Sequence, residues 1–196
     1  MKRIFDIVVA SVFLLLFSPL FLALVLIIIN VSKGGAFFHQ DRVGKNGKLF
    51  RLHKFRTMRQ ASEAAGQLTV GMRDPRITTS GFFLRKYKLD ELPQLWNVLK
   101  GEMSLVGPRP EVPKYVAYYS PEQRRVLSVQ PGLTDFASIE FVNENDILSK
   151  SPTPEKTYIE EILPKKIELS LKYIDSKSFL TDIKILWGTL MAIAKG

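Results

Sequence analysis

Between Arg85 and Pro110 the chain reads RKYKLDELPQLWNVLKGEMSLVGPRP, and an adjacent acidic pair, Asp90 and Glu91, stands there among cations. Arg85, Lys86 and Lys88 precede the pair, and Gly107-Pro108-Arg109-Pro110 follows it. A carboxylate surrounded by positive charge is expected to be ionised at neutral pH, ready to act as a nucleophile or to hold a divalent metal. The prolines at 108 and 110 stiffen the turn around Arg109, and a guanidinium aimed in a fixed direction suits bidentate binding of phosphate. A helix N-terminus adds free backbone N–H groups for an anion. Together these residues describe a place where a carboxylate meets a phosphoryl group. The bland alternative is a capped amphipathic helix. In it Asp90 is the N-cap, Glu91 and Pro93 sit in the first turn, Leu92, Leu95, Trp96 and Leu99 recur at helical spacing, and Gly101 is the stop.

Composition narrows the chemistry. The chain of 196 residues has no cysteine, which excludes thiol catalysis, thiolate metal sites and disulfides. His39 and His53 are its two histidines, too few for a multi-histidine metal centre. It contains no Walker A loop, no Gly-x-Gly-x-x-Gly and no internal repeat. A formal net charge of +9 calls for an anionic partner: nucleic acid, an anionic membrane surface or a diphosphate substrate.

The elements that must position the acidic pair begin with an apolar run from Ile7 to Ile29 that carries no charge. Such a run is long enough to span a bilayer. Ser18-Pro19 interrupts it at the middle, and each half would extend roughly 17 Å, about half the hydrocarbon thickness. Both flanks are basic: Lys2 and Arg3 before, and Lys33, Arg42, Lys45, Lys48, Arg51, Lys54 and Arg56 after. Basic flanks favour the cytoplasmic side, so a helix–break–helix that returns to its side of entry satisfies both ends, while a straight span satisfies one. Phe37 to Met58 reads as two strands around the turn Gly44–Lys48. Arg59 to Thr79 reads as a polar surface loop with a short helical piece and a Pro-centred turn at Asp74-Pro75-Arg76. Phe82, Phe83 and Leu84 suit either the core or an interfacial wedge. Val112 to Val129 reads as a helix bearing Tyr115, Tyr118 and Tyr119, with a fresh helix start at Ser120-Pro121-Glu122. After Thr153-Pro154 two helices follow, the first divided near Pro164. The second is capped by Ser178 and carries Phe179, Ile183, Leu186, Trp187, Leu190, Met191 and Ala194 on one face, which is either buried or laid in the headgroup region.

The segments LDELPQL (89–95), NVLKG (97–101), Met103-Ser104 and GPRP (107–110) resemble the core of the bacterial sugar transferase family, the small monotopic polyprenol-phosphate phosphoglycosyl transferases that initiate glycoconjugate synthesis. Gln40, Arg42 and Gly44, the segment KFRTM (54–58), and PGLT (131–134) resemble further family segments, so the likeness covers nearly the whole chain. It implies a mostly helical α+β fold: a re-entrant membrane anchor over residues 1–32, broken at Ser18 and Pro19, then a catalytic domain over 33–196 with a short β-hairpin and interfacial helices. The implied location is the cytoplasmic face of the bacterial inner membrane, with both ends of the chain cytoplasmic. The implied reaction moves a phospho-sugar from a UDP-sugar to polyprenol (undecaprenyl) phosphate, releasing UMP. Asp90 would be the nucleophile, Glu91 the ligand of Mg²⁺, and Lys54, Arg85 and Arg109 the cradle of the phosphates. Arg42, Pro108, Pro110 and Asp182 would support the site. The partners implied are the UDP-sugar, polyprenol phosphate and membrane lipids, with no nucleic acid and no particular oligomeric state. Between Asp135 and Val142 the chain departs from the common pattern. Gln130 and Val142 replace family arginines, and the second replacement implies a different sugar or a cation supplied from elsewhere. A membrane-anchored basic module that binds anionic lipid or nucleic acid without catalysis is the competing reading. It leaves the acidic pair without a purpose.

Overall fold

In a computed structural model, which describes residues 1–32, 34–60, 68–71 and 74–195, the apolar run forms two helices, α1 (Lys2–Leu16) and α2 (Ser18–Val31), bent by 63°. Pro19 sits in the first turn of α2, where its missing N–H costs nothing, and the Ser18 hydroxyl donates to the Leu15 carbonyl at 2.8 Å. Among the described residues no single helix is long and apolar enough to cross a membrane; the two helices of the bent pair reach that length and apolar composition only together. The basic flank at Lys33 lies outside the described residues.

Neither helix is detached from the rest. Arg3 donates to the carbonyls of Val98 (through Nη1) and Leu99. Asp6, buried within α1, accepts from the Ser104 hydroxyl at 2.8 Å and the Leu105 N–H. Ala10 is fully enclosed and shares a core with Leu52, Leu95, Val98, Met103 and Tyr173. A second core joins Leu24 and Ile28 of α2 to Phe55 and Leu84.

Strands β1 (Phe37–Val43) and β2 (Leu49–Phe55) form the expected antiparallel hairpin, with Phe38 opposite Lys54 and Arg42 opposite Phe50. Asn46 and Gly47 take the left-handed conformation that the tight turn requires. Helix α3 (Thr79–Lys86) is capped by the Thr78 hydroxyl, and an ideal Cβ on Gly81 would lie 2.0 Å from the Thr57 carbonyl, so this position admits only glycine. Helix α4 (Gln94–Lys100) ends at Gly101, which has φ 84°, as its position predicted.

Two expectations are corrected, and one feature is new. Asp90 does not cap the helix that carries Leu95 and Leu99; it lies in a separate 3₁₀ turn, Leu89–Glu91, and α4 starts three residues later behind Pro93. Val112–Val129 is not one helix. It is a single turn, α5 (Pro113–Val116), followed by a 3₁₀ segment, Gln123–Ser128, because Ser120 and Gln123 form a reciprocal capping box that restarts the chain. Tyr115 and Tyr119 pack inside, and Tyr118 is exposed. A second small sheet has no counterpart in the sequence reading: β3 (Ser104–Val106) and β4 (Gly132–Thr134) pair in parallel.

The remaining helices are α6 (Phe136–Glu140), α7 (Glu144–Ser149), α8 (Pro154–Thr157), α9 (Leu163–Ser176) and α10 (Phe179–Lys195), with one π-helical turn, Tyr158–Ile162, between α8 and α9. Pro164 occupies the first turn of α9, and the Ser178 hydroxyl accepts from Thr181 N–H at the start of α10. Phe82 and Phe83 are exposed while Leu84 is buried. The turn at Pro75 is present, closed by Ile77 N–H to the Asp74 carbonyl and by the Asp74–Arg76 ion pair. The helical piece expected within Arg59–Thr79 falls in a stretch where 61–67 and 72–73 lie outside the described residues.

Candidate active site

Lys88 sets the geometry. Its φ of 56° and ψ of 19° reverse the chain after α3, a conformation uncommon for a residue with a side chain. The following 3₁₀ turn is held by Leu89 and Leu92 against the core of Phe55 and Leu84. Asp90 and Glu91 both face a cleft of about 850 Å³, which is also lined by Arg42, Lys54, Arg85 and Arg109. Of the site residues read from the sequence, these six and Pro110 line the cleft together.

The two carboxylates have different surroundings. Glu91 receives the Lys54 ammonium at 2.9 Å and the Arg109 guanidinium, both on Oε1. Burial alone would raise the Glu91 carboxyl, but Arg109 and Lys54 outweigh it and hold the group well below the usual carboxylate range. Asp90 is 7% exposed, and among the described residues its side chain makes no hydrogen bond or ion pair. Burial raises its carboxyl, opposed by Lys54 and assisted by the charge of Glu91. The surrounding cations thus outweigh burial at Glu91 and draw it down, whereas at Asp90 burial outweighs them and the shift is upward.

The cations are themselves placed by backbone. Lys54 comes from the end of β2, which is locked to α4 by Asn97. That side chain is fully buried, accepts from His53 N–H at 3.0 Å and donates to the Arg51 carbonyl at 2.7 Å. Arg85 reaches across from α3 and donates to the Thr57 hydroxyl at 2.9 Å. Burial lowers both Lys54 and Arg85 from their ordinary values. The Pro108-Arg109-Pro110 turn leans on β4. Gly107 N–H donates to Thr134, Gly132 N–H donates to Pro108, and the Arg109 guanidinium donates to Leu133 at 3.2 Å. An ideal Cβ on Gly132 would stand 2.1 Å from Gly107 N, so the strands meet where only glycine fits. Asp135, wholly buried at the start of α6, accepts from Arg109 N–H. Arg42 acts on the same turn from the hairpin. It donates to the Pro110 carbonyl at 2.9 Å and to Glu111, and its other edge meets Gln40.

Asp182 does not line this cleft. It is buried between the Lys2 ammonium and the Tyr173 hydroxyl, tying the start of α1 to α10 and α9. Ser18 and Pro19 stand at the bend of α1 and α2. Sequence reasoning missed Asp6, Asn97 and Asp135, which bond across 98, 44 and 26 residues of chain and have no local pattern.

The residues present suit a magnesium ion in a limited way. No group of three or more acidic or histidine side chains converges among the described residues. Mg²⁺ is, however, commonly held by one or two carboxylates together with substrate phosphates. Glu91 meets that need, because both cations sit on Oε1 and Oε2 carries no hydrogen bond. The cleft thus joins an unpaired buried carboxyl, a second carboxylate fixed by two cations, and guanidinium groups on two further sides. That arrangement suits a phosphoryl group attacked by a carboxylate oxygen.

The family model described as bacterial sugar transferase matches residues 1–196. The chain is 38% identical over 194 residues to the uncharacterized sugar transferase EpsL of Bacillus subtilis (strain 168), covering 98% of this chain and 87% of that one. It is 38% identical over 200 residues to the UDP-N-acetylgalactosamine-undecaprenyl-phosphate N-acetylgalactosaminephosphotransferase of Aeromonas hydrophila, covering 100% of this chain and 44% of that one. It is 36% identical over 198 residues to the UDP-glucose:undecaprenyl-phosphate glucose-1-phosphate transferase of Escherichia coli (strain K12), covering 97% of this chain and 39% of that one. The chain therefore spans less than half the length of these last two relatives.

Proposed function

The chain belongs to the bacterial sugar transferase family, and from that premise we propose that it moves a phospho-sugar from a UDP-sugar to undecaprenyl phosphate, or a like polyprenol phosphate, and releases UMP. The observation that carries the proposal is the division of labour between adjacent acids: Asp90 is buried and unpaired, and Glu91 is clamped by Lys54 and Arg109.

In the first step a carboxylate oxygen of Asp90 attacks the phosphorus that bears the sugar. The phosphorus–oxygen bond to the UMP phosphate breaks, UMP leaves with that oxygen, and an aspartyl-phosphosugar remains. In the second step an oxygen of the lipid phosphate attacks the same phosphorus. The bond to Asp90 breaks, giving a polyprenyl diphosphate-sugar and the free carboxylate, a ping-pong cycle. Lys54, Arg85 and Arg109 stabilise the charge that builds on the phosphate oxygens in each transition state. Glu91 would hold a Mg²⁺ ion, which when bound would supply positive charge to neutralise the diphosphate.

We further propose that α1 and α2 form a re-entrant anchor on the cytoplasmic face of the bacterial inner membrane, with both of its ends on that face. The 63° bend at Pro19 and the exposed apolar side chains of both helices support this. So does the course of the cleft. It runs from Asp90 to Val9 and Phe13 of α1 and to Leu190 and Ile193 of α10, so a lipid tail can stay among apolar side chains while its phosphate reaches the acids.

The decisive experiment is intact-protein mass spectrometry after incubation with a panel of UDP-sugars. A phosphosugar adduct that maps to Asp90 and is discharged by polyprenol phosphate is expected. Full UMP release by Asp90→Asn would overturn the mechanism, and release with no lipid acceptor requirement would overturn the assignment of acceptor.

A further inference from the structure

The wall of the same cleft carries a second ion pair that the transfer step does not use. Lys166 of α9 donates to Glu144 Oε2 at 2.8 Å, with side chains 15% and 24% exposed. The Lys166 ammonium also lies over the Tyr158 ring, 5.3 Å from its centroid. Tyr158 stands in the single π-helical turn of the chain's described helices, a distortion often found at functional sites. Its hydroxyl donates to Glu111, which holds Arg42. Glu144, Lys166 and Tyr158 all line the cleft, as does the uncharged Val142 beside them.

From this arrangement, and resting on the transferase reading, we propose that Glu144 and Lys166, braced by Tyr158, form the subsite that reads the hydroxyl groups of the sugar in the UDP-sugar. A carboxylate beside an ammonium offers an acceptor and spare donors at fixed spacing. Neighbouring hydroxyls of a pyranose ring, each both donor and acceptor, satisfy both without bringing in charge. A phosphate does not fit, because Glu144 repels it. The position favours the sugar over the nucleoside. Glu144 and Arg109 line the same cleft and Glu144 is close enough to act on Arg109 electrostatically, and in the proposed mechanism Arg109 cradles the phosphate that carries the sugar. UMP departs on the side opposite the attacking oxygen.

The test compares UMP release from several UDP-hexoses that differ at single hydroxyl positions, for wild type, Glu144→Gln, Lys166→Gln and the milder Glu144→Asp. The expected result is that the ratio of kcat/KM between the best and second-best sugar falls by about 10-fold in the first two variants, while inhibition by UMP changes by less than about twofold. Glu144→Asp, which keeps the charge and shortens the reach, should shift the ratio while leaving the melting temperature unchanged. An unchanged ratio in all three variants overturns the proposal. So does a loss of UMP affinity equal to the loss for the UDP-sugar, which would assign the pair to the nucleoside. Direct binding of UDP-sugar and UMP to Asp90→Asn, alone and with Glu144→Gln, separates the two readings. A wild type that releases UMP from no UDP-sugar counts against the transferase, whereas equal UDP-sugar affinity with and without Glu144 counts against the subsite.

Discussion

Burial pushes the Asp90 carboxyl upward while Arg109 and Lys54 pull Glu91 down against the same burial, so the two acids answer pH and mutation in opposite directions. The folded chain binds the Asp90 proton more tightly than the unfolded chain does. Stability is therefore lost as pH rises from the ordinary carboxylate range through the raised value, and a neutral amide removes that penalty. Glu91 contributes stability above its unfolded value that is lost as pH falls through its depressed one. Asp90→Asn should accordingly melt no lower than wild type at pH 7 while its UMP release falls by at least about 10³-fold. Glu91→Gln leaves two partly buried cations without their counter-charge and should cost about 3 kcal/mol of stability, measured by denaturant unfolding in detergent. Equal melting behaviour of the two variants would refute the contrast. In the proposed mechanism turnover needs the ionised Asp90, so the acid limb of kcat/KM should lie above the range of an ordinary carboxylate. Since Lys54 opposes the upward shift, Lys54→Met should move that limb to still higher pH in whatever activity remains.

At the scale of elements, the hairpin, the stop at Gly101 and the break at Pro19 were legible because each depends on local backbone chemistry: a tight turn, a left-handed cap, a missing N–H. The start of α4 was not. Asp-Glu-Leu-Pro reads as a cap and first turn, but Lys88 reverses the chain before it, and the pair is spent on a separate 3₁₀ turn that faces the cleft. The β3–β4 pair escaped notice because each strand has three residues and its partner is remote in the chain. The helix expected from Val112 stops after one turn, and the fresh start read at Ser120-Pro121-Glu122 is present as the Ser120–Gln123 capping box, although it opens a 3₁₀ segment and not an α-helix. Asp90, Glu91, Arg85, Arg109 and Pro110 were thus readable from their clustering in one stretch, and Arg42 and Lys54 through the family resemblance, while the backbone devices that aim them were not. The bend of α1 and α2 carries its own prediction. The chain has no native cysteine, so a cysteine added ahead of Met1 and, separately, Lys45→Cys give clean labels. Both should be shielded from an impermeant thiol reagent outside intact cells and labelled after lysis. Labelling of one from outside would mean that the apolar segment crosses the bilayer.

For the molecule as a whole, the first and last helices meet. Phe5 of α1 contacts Phe179 of α10 with ring centroids 5.3 Å apart, and Lys2 pairs with Asp182. Both helices leave large apolar side chains outside, among them Val8 and Val12 on α1 and Leu180, Trp187 and Leu190 on α10. A chain with a net charge of +9 that also exposes such faces suits an anionic bilayer surface. Residues of the same two helices line the cleft, so the surface that would sit in lipid adjoins the site where the proposed reaction would place the lipid phosphate. Sugar nucleotide and lipid acceptor then approach from different sides, and the two half-reactions should be separable by mutation. Leu190 is 62% exposed and lines the cleft, so under the proposed arrangement a carboxylate there would meet the lipid and not the nucleotide. Leu190→Glu should raise the KM for polyprenol phosphate by about 10-fold, the equivalent of losing one apolar side-chain contact, while the rate of adduct formation on Asp90 from the UDP-sugar stays within about twofold. An equal slowing of both steps would mean that α10 supports the fold of the site and gives the acceptor no path to it.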